Sequence, residues 1–176
     1  MQNRYDPKLA QPATLKQDEG YLVMSTGTNY VSMYGFGFYL YVAPFTAKYD
    51  QDLLANFVVA SQISKSDFSD HFGLLHVLKL KAGTYQYYPR SGDYREYAIT
   101  VPNARFNIVA GKVTYLGEFF YHNSVNWHMD IGDNEQRDIE LLRQKNVQLA
   151  QLPRVKDIVQ FSGFILKDNK HVEQVE

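Results

Sequence analysis

The chain has 176 residues, 45% of them hydrophobic and 21% charged, and its 18 Lys and Arg balance 19 Asp and Glu. A chain so close to neutral lacks the positive field that draws proteins to nucleic acid or to an anionic membrane, so we expect no nucleic-acid partner. The absence of Cys excludes disulfides, thiolate nucleophiles and thiolate metal ligands.

The N-terminal residues 1–19 are polar and contain Pro7 and Pro12 without any hydrophobic period. They predict a flexible tether, and no stretch of the chain has the length and apolarity of a membrane span. Two interpretations of the start stay open. The chain is either a cytoplasmic protein translated from Met1, or a mature exported domain in which Met1 stands where a lipidated cysteine was.

The central part of the chain reads as a series of strands. Its aromatic content is 15%, with 14 Tyr and 11 Phe, and these side chains pack well on a pleated surface. Strands are predicted for residues 20–25, 34–44, 71–81, 85–88, 96–101, 105–109 and 113–122, with tight turns at Gly83 and Gly111. Residues 50–63 fit either a helix or a strand.

The hydrophobic period changes near the C-terminus. Asp133, followed three residues later by Gln136, predicts a capping box and a helix over residues 134–148. A last strand is predicted over residues 158–166, and residues 168–176 form a polar tail. We therefore predict a mainly β fold, an antiparallel β-sandwich of about seven to nine strands with one C-terminal α-helix, spanning residues 20–167. Its core is predicted to include Leu22, Phe38, Leu74, Leu78, Ile108, Tyr115 and Leu142.

Two segments resemble parts of a known family. Residues 78–85, LKLKAGTY, resemble the L-x-x-G-x-Y corner of small transthyretin-like and carboxypeptidase-regulatory-like β-sandwiches. Residues 106–118, FNIVAGKVTYLGE, resemble a hairpin of uncharacterised bacterial envelope lipoproteins that carry such a sandwich. The resemblance implies an exported, non-enzymatic domain on the periplasmic side of the envelope, anchored to the outer membrane through a lipid. The cytoplasm is the alternative location.

Few residues carry recognisable catalytic chemistry. The chain lacks the Gly-x-Ser-x-Gly nucleophile elbow and a phosphate-binding glycine loop. His122, His128 and Asp130 surround a polar segment, and two histidines with a carboxylate form a known metal-ligand set. The alternative is a polar loop with ordinary surface histidines. We expect no catalytic residues and no cofactor, and a metal-dependent enzyme is the third of three hypotheses.

The leading hypothesis is a non-catalytic accessory or interaction protein of the envelope, with a protein or glycan partner. The second is a sugar- or peptide-binding module that uses exposed aromatic rings. Trp127, His128, Asn126 and Tyr87 are the candidate binding residues, since Trp127 supplies stacking area among polar neighbours. The alternative is that Trp127 plugs the end of the sandwich, and that the Tyr-rich segments form its core.

Overall fold

The computed structural model describes residues 10–29, 38–45, 55–58, 65–91, 105–122 and 128–158. Within them the chain forms nine strands, two helices and a 3-10 turn at Pro12–Thr14. The strands are β1 Glu19–Thr28, β2 Phe38–Pro44, β3 Ala55–Val58, β4 Phe72–Lys81, β5 Gly83–Ser91, β6 Arg105–Ile108, β7 Val113–His122, β8 His128–Gly132 and β9 Arg154–Lys156. The helices are α1 Glu135–Lys145 and α2 Val147–Ala150.

The strands form two sheets, which confirms the prediction of a mainly β, sandwich-like fold. The five-stranded sheet has the order β4-β1-β7-β8, with β9 also paired to β7, and the four-stranded sheet has the order β3-β2-β5-β6. The predicted pairing was wholly antiparallel, but β1 and β9 both run parallel to β7. Strand β1 is buried from Gly20 to Thr28, in agreement with its apolar run Tyr21–Met24, and its buried second half contains Ser25, Thr26 and Thr28.

The five-stranded sheet has a hydrophobic core on each face. Side chains such as Leu22, Leu78 and Ile108 fill the space between the two sheets. On the outer face, Tyr115 packs with Leu142 and other helix residues. All predicted core residues with described side chains are buried, with exposures of 6% or less for Leu22, Leu74, Leu78, Ile108, Tyr115 and Leu142. The Phe38 side chain lies outside the described set.

Three predictions near the ends of the chain need correction. Residues 10–18 do not behave as a flexible tether, because Ala10 is buried and Leu15 packs on the same outer core. The predicted single helix ends at Lys145, and Asn146 caps the short α2 by accepting from Leu149 N at 3.0 Å. The predicted Asp133 cap is also wrong. Asn134 occupies the N-cap without a side-chain capping bond, and Asp133, one residue earlier, accepts from Glu135 N at 3.3 Å and from Lys156 Nζ at 2.7 Å.

The corner after β4 forms as predicted. Gly83 and Gly111 both have positive φ, at +153° and +69°. The Tyr85 side chain is buried, and its hydroxyl donates to Lys81 O at 2.8 Å, closing the corner. Residues 1–9, the predicted strands at 96–101 and 158–166, and the tail at 168–176 lie outside the described residues, except for Ile158.

Candidate functional site

Four rings lie in a row across the outer face of the five-stranded sheet. This ring row consists of Phe68, His71, Phe120 and His122. Successive ring centroids are 5.0, 5.4 and 4.7 Å apart, so each ring contacts the next. Phe68, Phe120 and His122 are half-buried, whereas the His71 side chain is only 9% exposed. The row therefore offers partly accessible rings held in fixed positions by their neighbours.

Two glycines make room for the ring row. Gly27 of β1 and Gly73 of β4 are paired across the two strands. A Cβ on Gly27 would lie 2.7 Å from Phe120 Cδ2, and one on Gly73 would lie 2.5 Å from Phe68 Cδ2. These distances are shorter than any normal contact. The missing side chains therefore leave a shallow trough in which the rings lie directly against backbone.

The segment before β4 is fixed to the sheet by two short side chains. Ser66 Oγ accepts from Phe68 N at 3.1 Å and from Gly73 N at 3.0 Å. Asp67 accepts from Leu75 N at 3.0 Å and from Lys145 Nζ at 2.8 Å. The segment is thus tied both to β4 and to the end of α1, which holds Phe68 and His71 in the row.

A buried polar cluster lies beside the row, under α1. This Arg137 network comprises Ser25, Tyr115, Glu118, Arg137 and Asp138. Arg137 donates to Glu118 Oε1 at 2.9 Å and to Asp138 Oδ1 at 2.7 Å, and its guanidinium lies 4.0 Å from the centre of the Phe68 ring. Ser25 Oγ and Tyr115 OH donate to Asp138 Oδ2 at 2.6 and 2.9 Å. The network therefore joins β1, β7 and α1, and contacts the ring row.

A bulge in β7 brings Tyr115 and Glu118 to the same face. In a regular strand, residues three apart face opposite sides. The pairing of β1 with β7 shifts register between Val23 and Ser25, opposite Tyr115 and Glu118. Gly117, with φ of +98°, lies in this shift, and a Cβ there would be 2.8 Å from Gly132 O. The bulge thus turns Glu118 towards α1, where Asn134 Nδ2 also donates to it at 2.7 Å.

The electrostatics of the network follow from burial and mutual pairing. Burial raises the pKa of Asp138, although hydrogen bonds from Ser25, Arg137 and Tyr115 act in the opposite direction. Burial, and then the nearby Asp138 charge, raise the pKa of Tyr115. Burial lowers the pKa of Arg137, but the Glu118 and Asp138 contacts outweigh it and the net pKa is raised. Arg137 thus stays charged and Tyr115 stays a neutral donor at physiological pH.

His71 meets a carboxylate at each ring nitrogen. Its Nδ1 lies 2.8 Å from Asp70 Oδ1, and its Nε2 lies 3.0 Å from Glu118 Oε1. The second contact has an ion-pair distance but not the direction of a hydrogen bond. The exposed Asp70 has a lowered pKa, chiefly through a backbone hydrogen bond and secondarily through the His71 contact. His71 therefore connects the ring row to the Arg137 network through Glu118.

The ring row ends at His122, which pairs with Asp130; both residues were considered as metal ligands in the sequence analysis. His122 Nε2 lies 3.0 Å from Asp130 Oδ2, with side chains 31% and 63% exposed. Both residues were predicted in or beside a loop, but they belong to paired strands, because β7 and β8 extend the hairpin to His122 and His128. His128 is the direct register partner of His122, and its side chain is outside the described set.

The predicted binding residues have three different outcomes. Trp127 and Asn126 lie in residues 123–127, outside the described part of the chain. His128 begins β8, next to those residues. Tyr87 is the clear error, since its side chain is completely buried between the sheets, and its hydroxyl lies 3.5 Å from Met24 Sδ. Its ring packs on Phe106 and Phe119 because the strand alternation turns Tyr85 and Tyr87 inwards.

The Arg137 network and the ring row were not anticipated from the sequence. The sequence nonetheless contains residues that indicate both features. Glu118 is a charged residue inside an apolar strand run, where a buried charge needs a partner, and Ser25 directly follows the apolar run at residues 21–24. Gly27 and Gly73 are glycines at strand positions, which indicate close approach of another group. The partner Arg137 lies 112 residues from Ser25, so no local pattern connects the two.

The comparisons with known proteins give no name to the site. No family model matches the chain, and no curated protein or solved structure matches it either. Among the described residues, no helix has the length and apolarity to cross a membrane. The same residues contain no group of three or more His, Asp or Glu side chains arranged to hold a metal ion.

Proposed function

We propose that this protein is a non-catalytic interaction module of the bacterial cell envelope, which binds a protein partner through the ring row and the adjoining residues 123–127. The observation that carries the proposal is the ring row itself. Its half-buried rings lie on the outer face of the five-stranded sheet, beside α1, and are stacked on one another over two glycines.

The geometry of the row suits a protein interface. Binding energy at such surfaces comes from rigid aromatic anchors that lose little conformational freedom on binding. Phe120 is held between His71 and His122, so its ring is already in place before a partner arrives. Trp127 follows in the segment between β7 and β8, and Trp is among the residues most often found at interface hot spots.

The neighbouring Arg137 network supports a structural role for the ionisable groups. Arg137 bonds to both Glu118 and Asp138, and Asp138 also accepts from Ser25 and Tyr115. Charges satisfied by one another in this way fix the position of α1 on the sheet. The same contacts give the ring row a rigid support, because Arg137 covers the Phe68 ring.

The envelope location is supported by the resemblance of residues 78–85 and 106–118 to envelope lipoproteins. The sequence encoded upstream of Met1 tests it: a leader that ends in cysteine is expected, and a start codon at Met1 with no leader would place the protein in the cytoplasm. The proposal includes contact with the membrane only through such a lipid anchor.

Capture of the partner tests the binding surface. The immobilised chain is exposed to a detergent extract of envelopes from the source organism, and retained proteins are identified by mass spectrometry. Phe120→Leu keeps apolar bulk but removes the ring, and we expect it to lose the captured partner. Phe45→Leu is the matched control, because Phe45 is a 40% exposed ring at the end of β2 in the other sheet. Equal capture by both variants would contradict the proposal.

Trp127→Ala separates binding from stability. If Trp127 is an interface anchor, the variant melts like the wild type and captures no partner. If Trp127 instead plugs the end of the sandwich, its removal lowers the free energy of unfolding by about 3–5 kcal/mol. A large fall in melting temperature would therefore assign Trp127 to the core and remove it from the proposed surface.

A sugar or peptide ligand is the second candidate, favoured by the near-parallel stack of Phe68 on His71, at an interplanar angle of 18°. The single Trp of the chain is Trp127, so selective tryptophan fluorescence reports on residues 123–127, the segment that links β7 to β8. Saturable quenching by an oligosaccharide or an unstructured peptide, abolished in Phe120→Leu, would favour this candidate over a folded protein partner.

A further inference from the structure

We propose that the ring row binds an arginine side chain of its partner, with the guanidinium over the Phe120 ring and flanked by the carboxylates of Asp70 and Asp130. The inference rests on the proposed interaction function and adds the chemistry of the partner, a cationic protein segment. It begins from Phe120, whose half-buried ring lies 5.4 Å from the His71 ring and 4.7 Å from the His122 ring. Each of these histidines is paired with a carboxylate, so Phe120 has a negative charge on either side.

The two carboxylates are accessible to a partner. Asp70 Oδ1 lies 2.8 Å from His71 Nδ1 and Asp130 Oδ2 lies 3.0 Å from His122 Nε2, yet the two Asp side chains are 76% and 63% exposed. A carboxylate has about four lone-pair sites, so one that already meets an imidazole still accepts from a cation on its solvent side. The pKa of Asp70 is lowered, chiefly by a backbone hydrogen bond, so this carboxylate is charged at neutral pH.

The cation next to the row is occupied by other carboxylates. Among the described residues, Arg137 is the one Arg or Lys whose charged group lies over a ring of the row. Its guanidinium donates to Glu118 and Asp138, whose side chains are only 6% and 0% exposed. Those two buried carboxylates account for the charge of Arg137. The exposed carboxylates of Asp70 and Asp130 are therefore in excess, and they suit a positively charged partner.

The row already holds one guanidinium in the arrangement that we propose. The Arg137 Cζ atom lies 4.0 Å from the centre of the Phe68 ring, while the guanidinium donates to Glu118 at 2.9 Å. Phe68 and Phe120 each contact the His71 ring. A guanidinium is planar, so it stacks on a ring and donates to carboxylates at its edge, which an ammonium group does less well. Phe120 therefore offers an incoming arginine the contacts that Arg137 already makes.

Titration with two matched peptides tests the inference. The probe is an unstructured peptide of alternating arginine and glycine, and the comparison peptide has citrulline, an uncharged isostere, in place of arginine. Binding is followed by amide NMR of the isotope-labelled full chain at about pH 7.5, where imidazole is ordinarily neutral. We expect saturable shifts along the ring row with the arginine peptide and none with the citrulline peptide. Added salt should weaken the binding, because it screens exposed charges.

Single substitutions locate the site. Asp70→Asn and Asp130→Asn should each weaken binding of the arginine peptide about two- to fivefold, which is the range for exposed ion pairs. Phe120→Leu should weaken it at least as much, because the ring face is lost. Glu140→Gln is the matched control, since Glu140 is a 52% exposed carboxylate that pairs with Arg143 on α1. It should bind as the wild type does, and an unchanged melting temperature of each variant excludes a folding defect.

Equal binding of the arginine and citrulline peptides would overturn the inference. Asp70→Asn and Asp130→Asn variants that bind the arginine peptide as tightly as Glu140→Gln does would overturn it as well. Partner capture separates this failure from failure of the proposed function. If Phe120→Leu loses the captured partner while both Asn variants retain it, the interaction surface stands and the cationic partner is wrong. If Phe120→Leu captures the partner as well as Phe45→Leu does, both proposals are wrong.

Discussion

Substitution of Asp138 by Ala tests the Arg137 network at its most buried member. The Asp138 carboxylate is completely buried and accepts from Ser25, Tyr115 and Arg137. Its removal leaves the Ser25 and Tyr115 hydroxyls, both also at 0% exposure, without this acceptor. Each buried donor left unsatisfied costs about 1–3 kcal/mol.

Two effects limit the loss of stability in Asp138→Ala. Arg137 keeps its bonds to Glu118 and is 31% exposed, so solvent screens the charge left behind. The Ala variant also no longer buries a carboxylate, whose raised pKa shows that burial disfavours the charged form. We therefore expect a loss of about 3 kcal/mol, at the lower end of the range for breaking a buried ion pair.

Thermal unfolding followed by circular dichroism measures this loss. For a chain of this size, about 3 kcal/mol lowers the melting temperature by roughly 6–12 °C. Asp138→Asn should lose less, because its amide still accepts from Arg137. Glu140→Ala is the control on the same helix, since Glu140 is exposed and pairs only with Arg143 among the contacts described. A melting temperature for Asp138→Ala within about 2 °C of the wild type would refute the network as the support of α1.

Three further predictions follow from single features of the fold. The raised pKa of Asp138 means that the folded state binds its proton more tightly than the unfolded state does. The stability of the wild type relative to Asp138→Asn should therefore increase as the pH falls from neutral towards about 3.9, as measured by urea unfolding at each pH. A stability difference that shrinks over this range would contradict the direction of the pKa shift. Gly117→Ala should destabilise the fold more than Gly111→Ala does, although both glycines have positive φ. Only at Gly117 does the added Cβ meet a backbone oxygen, at 2.8 Å. Equal denaturation midpoints of the two variants would argue against the bulge. In the same unfolding assay, Tyr87→Ala should lower the free energy of unfolding by about 3–5 kcal/mol, because its ring is buried in the core. Tyr87→Phe should lower it much less, because among the described residues the hydroxyl has only the Met24 sulfur as acceptor, at 3.5 Å. A stable Tyr87→Ala variant would return Tyr87 to the candidate binding surface.

The strands and the core were predictable because they depend on local patterns. Alternating apolar residues located Leu22, Leu78 and Ile108 between the sheets, and glycines located the turns at positions 83 and 111. The same alternation, applied strictly, assigns Tyr87 to the core. Tyr87 was wrongly taken as a binding residue because aromatic clustering alone does not distinguish a buried ring from an exposed one.

The candidate site was less predictable because it depends on contacts far apart in the chain. Ser25 meets Asp138 across 113 residues, and Glu118 reaches α1 only because the bulge at Gly117 turns it to that face. The parallel pairing of β1 with β7 brings these residues together, whereas the prediction assumed antiparallel strands. His122 and Asp130 lie 3.0 Å apart, but they meet across two paired strands rather than within the loop that the sequence suggested.

Site-specific photo-crosslinking in living cells of the source organism tests the central claim most directly. A photoreactive amino acid replaces His122 at the end of the ring row in one variant, and Phe45 in the other sheet in a second. The proposed interaction module predicts a discrete crosslinked species from position 122 in the envelope fraction, and none from position 45. The species should disappear when Phe120→Leu is combined with the position-122 probe. Crosslinks of equal yield from both positions, or none from position 122, would contradict a binding surface on the outer face of the five-stranded sheet.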